Sequence, residues 1–371
     1  MAETTIEKLG DFGQSVWLDN ISRSIIESGR LKDMIGLGLR GMTSNPTIFD
    51  KAISSSGDYD ETIDSLYNSG KSVFQIYDEL TVKDVQDAAD IFRPVYNRTH
   101  GLDGYVSLEV NPKLAFRAEE TVEEACRLFK KVARPNVMFK VPSTDAGFKA
   151  MEELIARGIN INATLIFSLG QYMKTARAFI KGMNRFLEKG GDLKVIRSVA
   201  SVFVSRVDTL ADKMIDAEGN TGLNLLKGKL AAANSALIYK KYFEIFSGSE
   251  FKKLKAKGTN VQRVLWASTS TKNPDYSDIK YVTELIAEGT VNTMPKNTFE
   301  AFLDHGIIKE NLTSEVSEAE GVIRDLKNSG IDLDSVCAKL LDEGIVSFEK
   351  SFESLLSSIE EKAKRLSGER V

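Results

Sequence analysis

Eight times along this chain a stretch of alternating side chains gives way to one with helical spacing, and this repetition restricts the fold more than any other feature. The alternating stretches are 15–20, 38–45, 104–110, 137–141, 160–167, 199–204, 264–269 and 290–294. Helical spacing follows at 22–35, 58–96, 119–133, 145–157, 169–187, 205–215, 231–246 and 278–287, and a last amphipathic run covers 346–366. Strands separated by helices pair in parallel, and eight such units favour a (β/α)8 TIM barrel over a doubly wound sheet. No GxGxxG follows the first strand and no GxxxxGK[ST] occurs, so neither a dinucleotide-binding nor a P-loop reading gains support. No linker or low-complexity segment interrupts the pattern. The expectation is one barrel domain over 1–371 with N-terminal and C-terminal helical additions, including a long C-terminal helix.

Within the units, Thr81 reads as an N-cap, with Val82, Val85, Ala88, Ala89 and Phe92 as the buried face behind it. Val122, Ala125, Cys126, Phe129 and Val132 read as another core stripe, Cys126 being a small core residue. Ser168 reads as the cap of the 169–187 helix.

The stretch NVMFKVPST is the chemically suggestive one. Val137, Phe139 and Val141 alternate with Met138 and Lys140, as in a half-buried strand. Pro142 has no N–H to continue the ladder, and Ser143 and Thr144 can cap the next helix. Lys140 therefore stands near a strand's C-terminus, where α/β folds carry their sites. A lysine in an apolar strand loses hydration, and its neutral amine can attack a carbonyl; a lysine at a strand end can equally snorkel to solvent.

Four prolines (Pro46, Pro112, Pro142 and Pro295) stand at the expected strand C-termini. Beside them, on the faces read as inward, are Asp19, Asn45, Glu109, Lys140, Asn162, Thr164 and Ser201. A barrel interior is mostly Val, Ile and Leu, and a polar layer is costly unless every group finds a partner. Such a layer points to a site. A lysine with two carboxylates suits a carbonyl mechanism in which the amine forms an iminium that draws electrons from a breaking C–C bond, one carboxylate serving the carbinolamine oxygen and the other the departing hydroxyl. That chemistry needs no metal and no organic cofactor.

Composition limits the alternatives. The chain has 371 residues, 27% of them charged, a net charge of −4 and an isoelectric point near 5.6. That balance supports neither nucleic-acid nor anionic-membrane binding. No apolar run approaches a membrane span, and MAETTIEKLGDFGQ is not a charged segment followed by an apolar one. Two histidines argue against a Ser-His-Asp triad or a multi-His metal site. Cys126 and Cys337 suggest no disulfide framework and suit the cytoplasm.

Six motifs in order, VWLD, GMTSNPTIF, SLEVNP, FKVPST, INATLIFS and SVFVSRVD, resemble the transaldolases of the pentose phosphate pathway, with similarity from about Val16 to Pro295. The resemblance implies a Schiff-base aldolase-type barrel that moves a dihydroxyacetone unit from a ketose phosphate to an aldose phosphate. It implies Lys140 as the Schiff-base lysine and Asp19 as the acid/base at the hydroxyl released in C–C cleavage. Glu109 would work with a water that Thr164 helps to hold. Asn45 and Asn162 would orient the dihydroxyacetone hydroxyls, with Ser201 beside them. Arg206 and Ser268 match the family's phosphate residues. The commoner pattern has an arginine two residues after that serine; here Ser268 is followed by Thr269, Ser270, Thr271 and Lys272, so Lys272 would supply a point charge without a bidentate fork. Outside the motif, Arg206 could be a solvated helix residue and Lys272 a surface lysine.

Two rival functions are a fructose-6-phosphate aldolase and a non-catalytic sugar-phosphate-binding barrel. The aldolases that resemble transaldolase carry glutamine and tyrosine where this chain has Glu109 and Phe203. A mere binder has no use for Lys140 together with Asp19 and Glu109. The expected assembly is a monomer or a homodimer, the C-terminal helix either covering the barrel or pairing two copies.

Overall fold

In the computed structural model, which describes residues 3–313 and 316–368, eight parallel strands close into a barrel in sequence order. They are β1 (Gln14–Asp19), β2 (Gly41–Thr43), β3 (Tyr105–Glu109), β4 (Val137–Pro142), β5 (Ile161–Ile166), β6 (Ser198–Phe203), β7 (Arg263–Ala267) and β8 (Thr290–Met294), with β8 paired to β1. All six residues of β4 are buried, so it is not the half-buried strand its alternation suggests. In a barrel the inward face packs on interior side chains and the outward face on helices, and no strand face is left to water.

The N-terminal end of the barrel is closed by side chains. Arg263 donates to Ser15 Oγ and to Asp103 Oδ1, both at 2.8 Å, and Ser15 Oγ donates to Asp103 Oδ2 at 2.7 Å. The Trp17 ring fills the interior beside this cluster, and its room comes from Gly41, where a Cβ would lie 2.6 Å from the indole. Polar and apolar parts together block that end. The cavity is at the other.

Several boundaries differ from the sequence expectation for local reasons. β2 ends at Thr43, and Asn45 caps the helix Pro46–Ser55, its Oδ1 accepting from the Ile48 N–H at 3.0 Å. Pro46 is the first residue of that helix rather than a strand terminator, because a proline at N1 loses no intrahelical bond. The expected 58–96 helix is two, Asp60–Asn68 and Val73–Arg98. Ser72 and Gln75 form a capping box, while Thr81 lies inside the helix and donates back to Tyr77 O at 2.9 Å. The 22–35 helix divides at Gly29, whose φ of 82° interrupts helical geometry. In Ala118–Val132 the buried positions are Thr121, Val122, Ala125, Leu128 and Val132; Phe129 is 40% exposed, and Cys126 is only half-buried beside the Arg157 guanidinium. Leu128 and Phe129 both satisfy helical spacing, and packing against the barrel chose the former. Ser168 caps Leu169–Glu188 as expected.

The C-terminal helix runs over Leu333–Leu366, starting earlier than the apolar run at 346 suggests, with Asp332 as its cap. It packs on the helix Pro46–Ser55 and reaches β5. Gly344 sits against Leu165, where a Cβ would come 3.1 Å from Cδ2. The β5–β6 register shifts between Ala163 and Ile166, and Leu165 within that irregularity has a φ of 57°. A left-handed leucine is unusual and needs such a bulge to hold it. Among the described residues no helix is long and apolar enough to cross a membrane.

Candidate active site

Three adjacent strands bring the central groups to one height, since Glu109 pairs with Lys140 and Lys140 with Asn162 in the register. Lys140 is buried. Its Nζ donates to Ser44 O at 2.8 Å and stands 3.8 Å from Glu109 Oε2. Burial pushes the Glu109 carboxyl up to about 7; the nearby Lys140 opposes the rise and Asp19 adds to it. This carboxyl can therefore give or take a proton near neutrality.

On the adjoining strands β2, β1 and β8, Thr43 Oγ1 donates to Asp19 Oδ1 at 2.7 Å and touches Thr293 Oγ1 at 2.9 Å. Asn162 donates to Ser107 Oγ on β3 at 3.0 Å and accepts from Ser201 Oγ on β6 at 2.6 Å, so the amide is held from both sides of the barrel interior. Thr164 Oγ1 and Glu109 Oε2 are buried and have no hydrogen-bond partner among the described residues. Two orphaned oxygens near one amine leave acceptor capacity for a ligand or a water.

A cavity of about 220 Å³ opens over these groups. Asp19, Asn45, Lys140, Thr164, Ser201, Phe203, Arg206, Ser268 and Lys272 all line it. Glu109 and Asn162 do not; they stand behind Lys140 and Ser201. At the rim, the Arg206 guanidinium lies 5.5 Å over the Phe203 ring, and burial lowers its pKa against the pull of Glu343. Lys272 is lowered by burial and then by Arg206 itself. Neither cation has an ion-pair partner among the described residues; Arg206 is half-buried, Lys272 is exposed at the edge, and both face the same cavity. Ser268 follows β7 at a φ of 56°, its Oγ 3.1 Å from Ser205 Oγ and its carbonyl accepting from the Ser205 N–H. That strained turn is what aims the segment toward Arg206.

The profile of the transaldolase/fructose-6-phosphate aldolase family matches residues 16–359. A transaldolase of Trichodesmium erythraeum is 45% identical over 99% of both chains. The chain belongs to the transaldolase/fructose-6-phosphate aldolase family. Transaldolase 2 of Nostoc punctiforme is 44% identical over 99% of this chain and 100% of its own. A transaldolase of Saccharopolyspora erythraea is 46% identical over 96% of this chain and 97% of its own. These near-full-length relatives make the chain an enzyme, a transaldolase.

Several residues of this transaldolase site escape sequence reading. Thr43 is the alternation partner of Asn45, and following its strand two residues back would have found it; Thr293 lies on the eighth strand, where no inward face was assigned. The Ser44 carbonyl is a backbone group and leaves no trace in a sequence. Phe348, which also lines the cavity, comes from the C-terminal helix, where it looks like any other member of an apolar stripe.

Proposed function

We propose that the enzyme transfers a dihydroxyacetone unit from fructose 6-phosphate or sedoheptulose 7-phosphate to erythrose 4-phosphate or glyceraldehyde 3-phosphate through a Schiff base on Lys140. The observation that carries this reading is the buried Lys140 amine, 3.8 Å from a carboxyl poised near neutrality, under a rim that carries the Arg206 and Lys272 cations. The amine attacks the ketone carbon. Glu109, working through a water near Thr164 Oγ1, removes and returns protons as the carbinolamine loses its oxygen. Asp19, oriented by Thr43, takes the proton of the hydroxyl whose carbon departs, and the iminium receives the electrons of the breaking bond. Asn45 and Ser201 orient the three-carbon unit, with Asn162 acting from behind through its hydrogen bond to Ser201, while Arg206, Lys272 and Ser268 hold the phosphate of the rest.

Incubation with fructose 6-phosphate, borohydride reduction and peptide mass spectrometry tests this. A three-carbon adduct on Lys140, absent from Lys140→Ala, is expected. No adduct, with Lys140→Ala still active, overturns the mechanism.

Glu109 and Phe203 favour transfer over the fructose-6-phosphate aldolase reading, and a sugar-phosphate binder without catalysis would form no reducible adduct. We infer a cytoplasmic location, which the free thiols of Cys126 and Cys337 suit. We further infer a monomer or homodimer built from one barrel domain over 1–371. Thr5 Oγ1 donates to Phe302 O at 2.8 Å at one end of the chain, and Lys362 Nζ donates to Ile53 O at 2.8 Å at the other, which ties both terminal additions to the barrel.

A further inference from the structure

Every residue lining the cavity precedes Lys296 in the chain except Phe348, which the C-terminal helix lowers into the mouth. Its ring is 5% exposed and stands 6.5 Å from the Phe203 ring, which is itself 5.3 Å from Phe167. This aromatic wall meets the cation rim at Phe203, beneath Arg206. The helix is pinned on both sides of Phe348. Before it, Cys337 Sγ donates to Phe167 O at 3.2 Å and Gly344 rests on Leu165. After it, Ser354 and Ser358 donate to Asp50 at 2.7 and 2.9 Å. Phe348 is therefore a fixed wall on the side where Arg206 would hold the incoming aldehyde's phosphate.

We propose that Phe348 directs the three-carbon intermediate on Lys140 to an aldehyde rather than to release as free dihydroxyacetone. This rests on the Schiff-base reading above. After cleavage Lys140 carries the enamine of dihydroxyacetone. In transfer, the enamine carbon attacks the aldehyde carbon, a C–C bond forms, and the aldehyde oxygen takes a proton. In release, the same carbon takes a proton from water instead; water then adds to C2 of the resulting iminium, the C–N bond breaks, and dihydroxyacetone leaves with the Lys140 amine restored. Water must reach C2 in both routes, so excluding it there would discriminate nothing. The routes part at the enamine carbon. An apolar ring on the aldehyde side keeps a proton-donating water off that carbon until the aldehyde arrives.

The test compares two rates for each enzyme: dihydroxyacetone formed from fructose 6-phosphate alone, and sedoheptulose 7-phosphate formed when erythrose 4-phosphate is added. Phe348→Ala raises the ratio of release to transfer by about tenfold, and Phe348→Leu, which leaves a smaller gap, by about threefold. Phe352→Leu is the matched control: Phe352 lies on the same helix but packs edge-on against Tyr77, 5.2 Å away, outside the cavity, and its ratio stays at the wild-type value. Should Phe348→Ala fail to fold, Phe348→Leu decides. A ratio unchanged in Phe348→Leu, or raised equally in Phe352→Leu, overturns the role of Phe348. Absence of a borohydride-trapped adduct in the wild type would instead overturn the Schiff-base reading.

Discussion

Glu109 and Lys140 face each other across the β3–β4 pair with 3.8 Å between Oε2 and Nζ, and the carboxyl sits near a pKa of 7 despite the cation beside it. Desolvation outweighs the attraction because both groups are buried at the head of a packed barrel.

This raised value has two measurable consequences. Between its ordinary value of 4.5 and about 7, the folded protein holds a proton that the unfolded chain has released. Stability from this group is full below 4.5 and is lost as the pH rises through 7. The wild type should lose thermal stability relative to Glu109→Gln between pH 5 and pH 8, which melting curves at several pH values will show. The same variant should lower kcat by roughly 10²–10⁴-fold by removing a proton-transfer group, and flatten the limb of the pH–rate profile near 7.

Arg206 and Lys272 repel each other at the rim, and Glu343 offsets this only at Arg206. Removing one should relieve the apoenzyme while harming substrate binding. Lys272→Met is expected to raise Tm without phosphate present, to reduce the stabilisation that added phosphate confers, and to raise KM for fructose 6-phosphate by about tenfold. Calorimetry with and without phosphate, together with steady-state kinetics, checks both signs.

Thr43 both donates to Asp19 and touches Thr293, so it fixes the carboxylate's orientation from the neighbouring strand. Thr43→Val keeps the volume and removes the donor. The expected result is a fall in kcat of about tenfold with KM little changed, since the lost bond costs about 1–2 kcal/mol and acts on the proton-transfer step. Thr43→Ser should recover most of the loss.

Gly41 faces the Trp17 indole with no space for a methyl group. Gly41→Ala must shift strand β2 or the ring, and overpacking of this kind costs roughly 1–3 kcal/mol. Urea unfolding should show a lower midpoint with an unchanged slope.

How far the sequence reaches is clear from particular residues. Asp19, Lys140, Thr164 and Ser201 were legible because period-2 alternation assigns a face residue by residue. Asn45 was found for the wrong local reason, as a strand terminus rather than a helix cap, yet it reaches the same cavity because a cap at a strand's C-terminal side stands at the barrel mouth. Thr81 was misjudged because the Ser72–Gln75 capping box starts its helix nine residues earlier, and Cys126 because spacing satisfies two adjacent helical faces and only packing chooses between them.

The sequence by itself determined the eight strand–helix units, the polar layer at the strand ends and the lysine among them, since all of these are local patterns of side chains along a few residues. Tertiary structure alone decided that Glu109 stands behind Lys140 rather than in the cavity, that its carboxyl titrates near 7, and that Phe348 walls the mouth. Desolvation and contact depend on what distant segments bring to the same point, and Lys140 and Phe348, 208 positions apart in the chain, line one cavity only when the barrel closes and its last helix crosses the top.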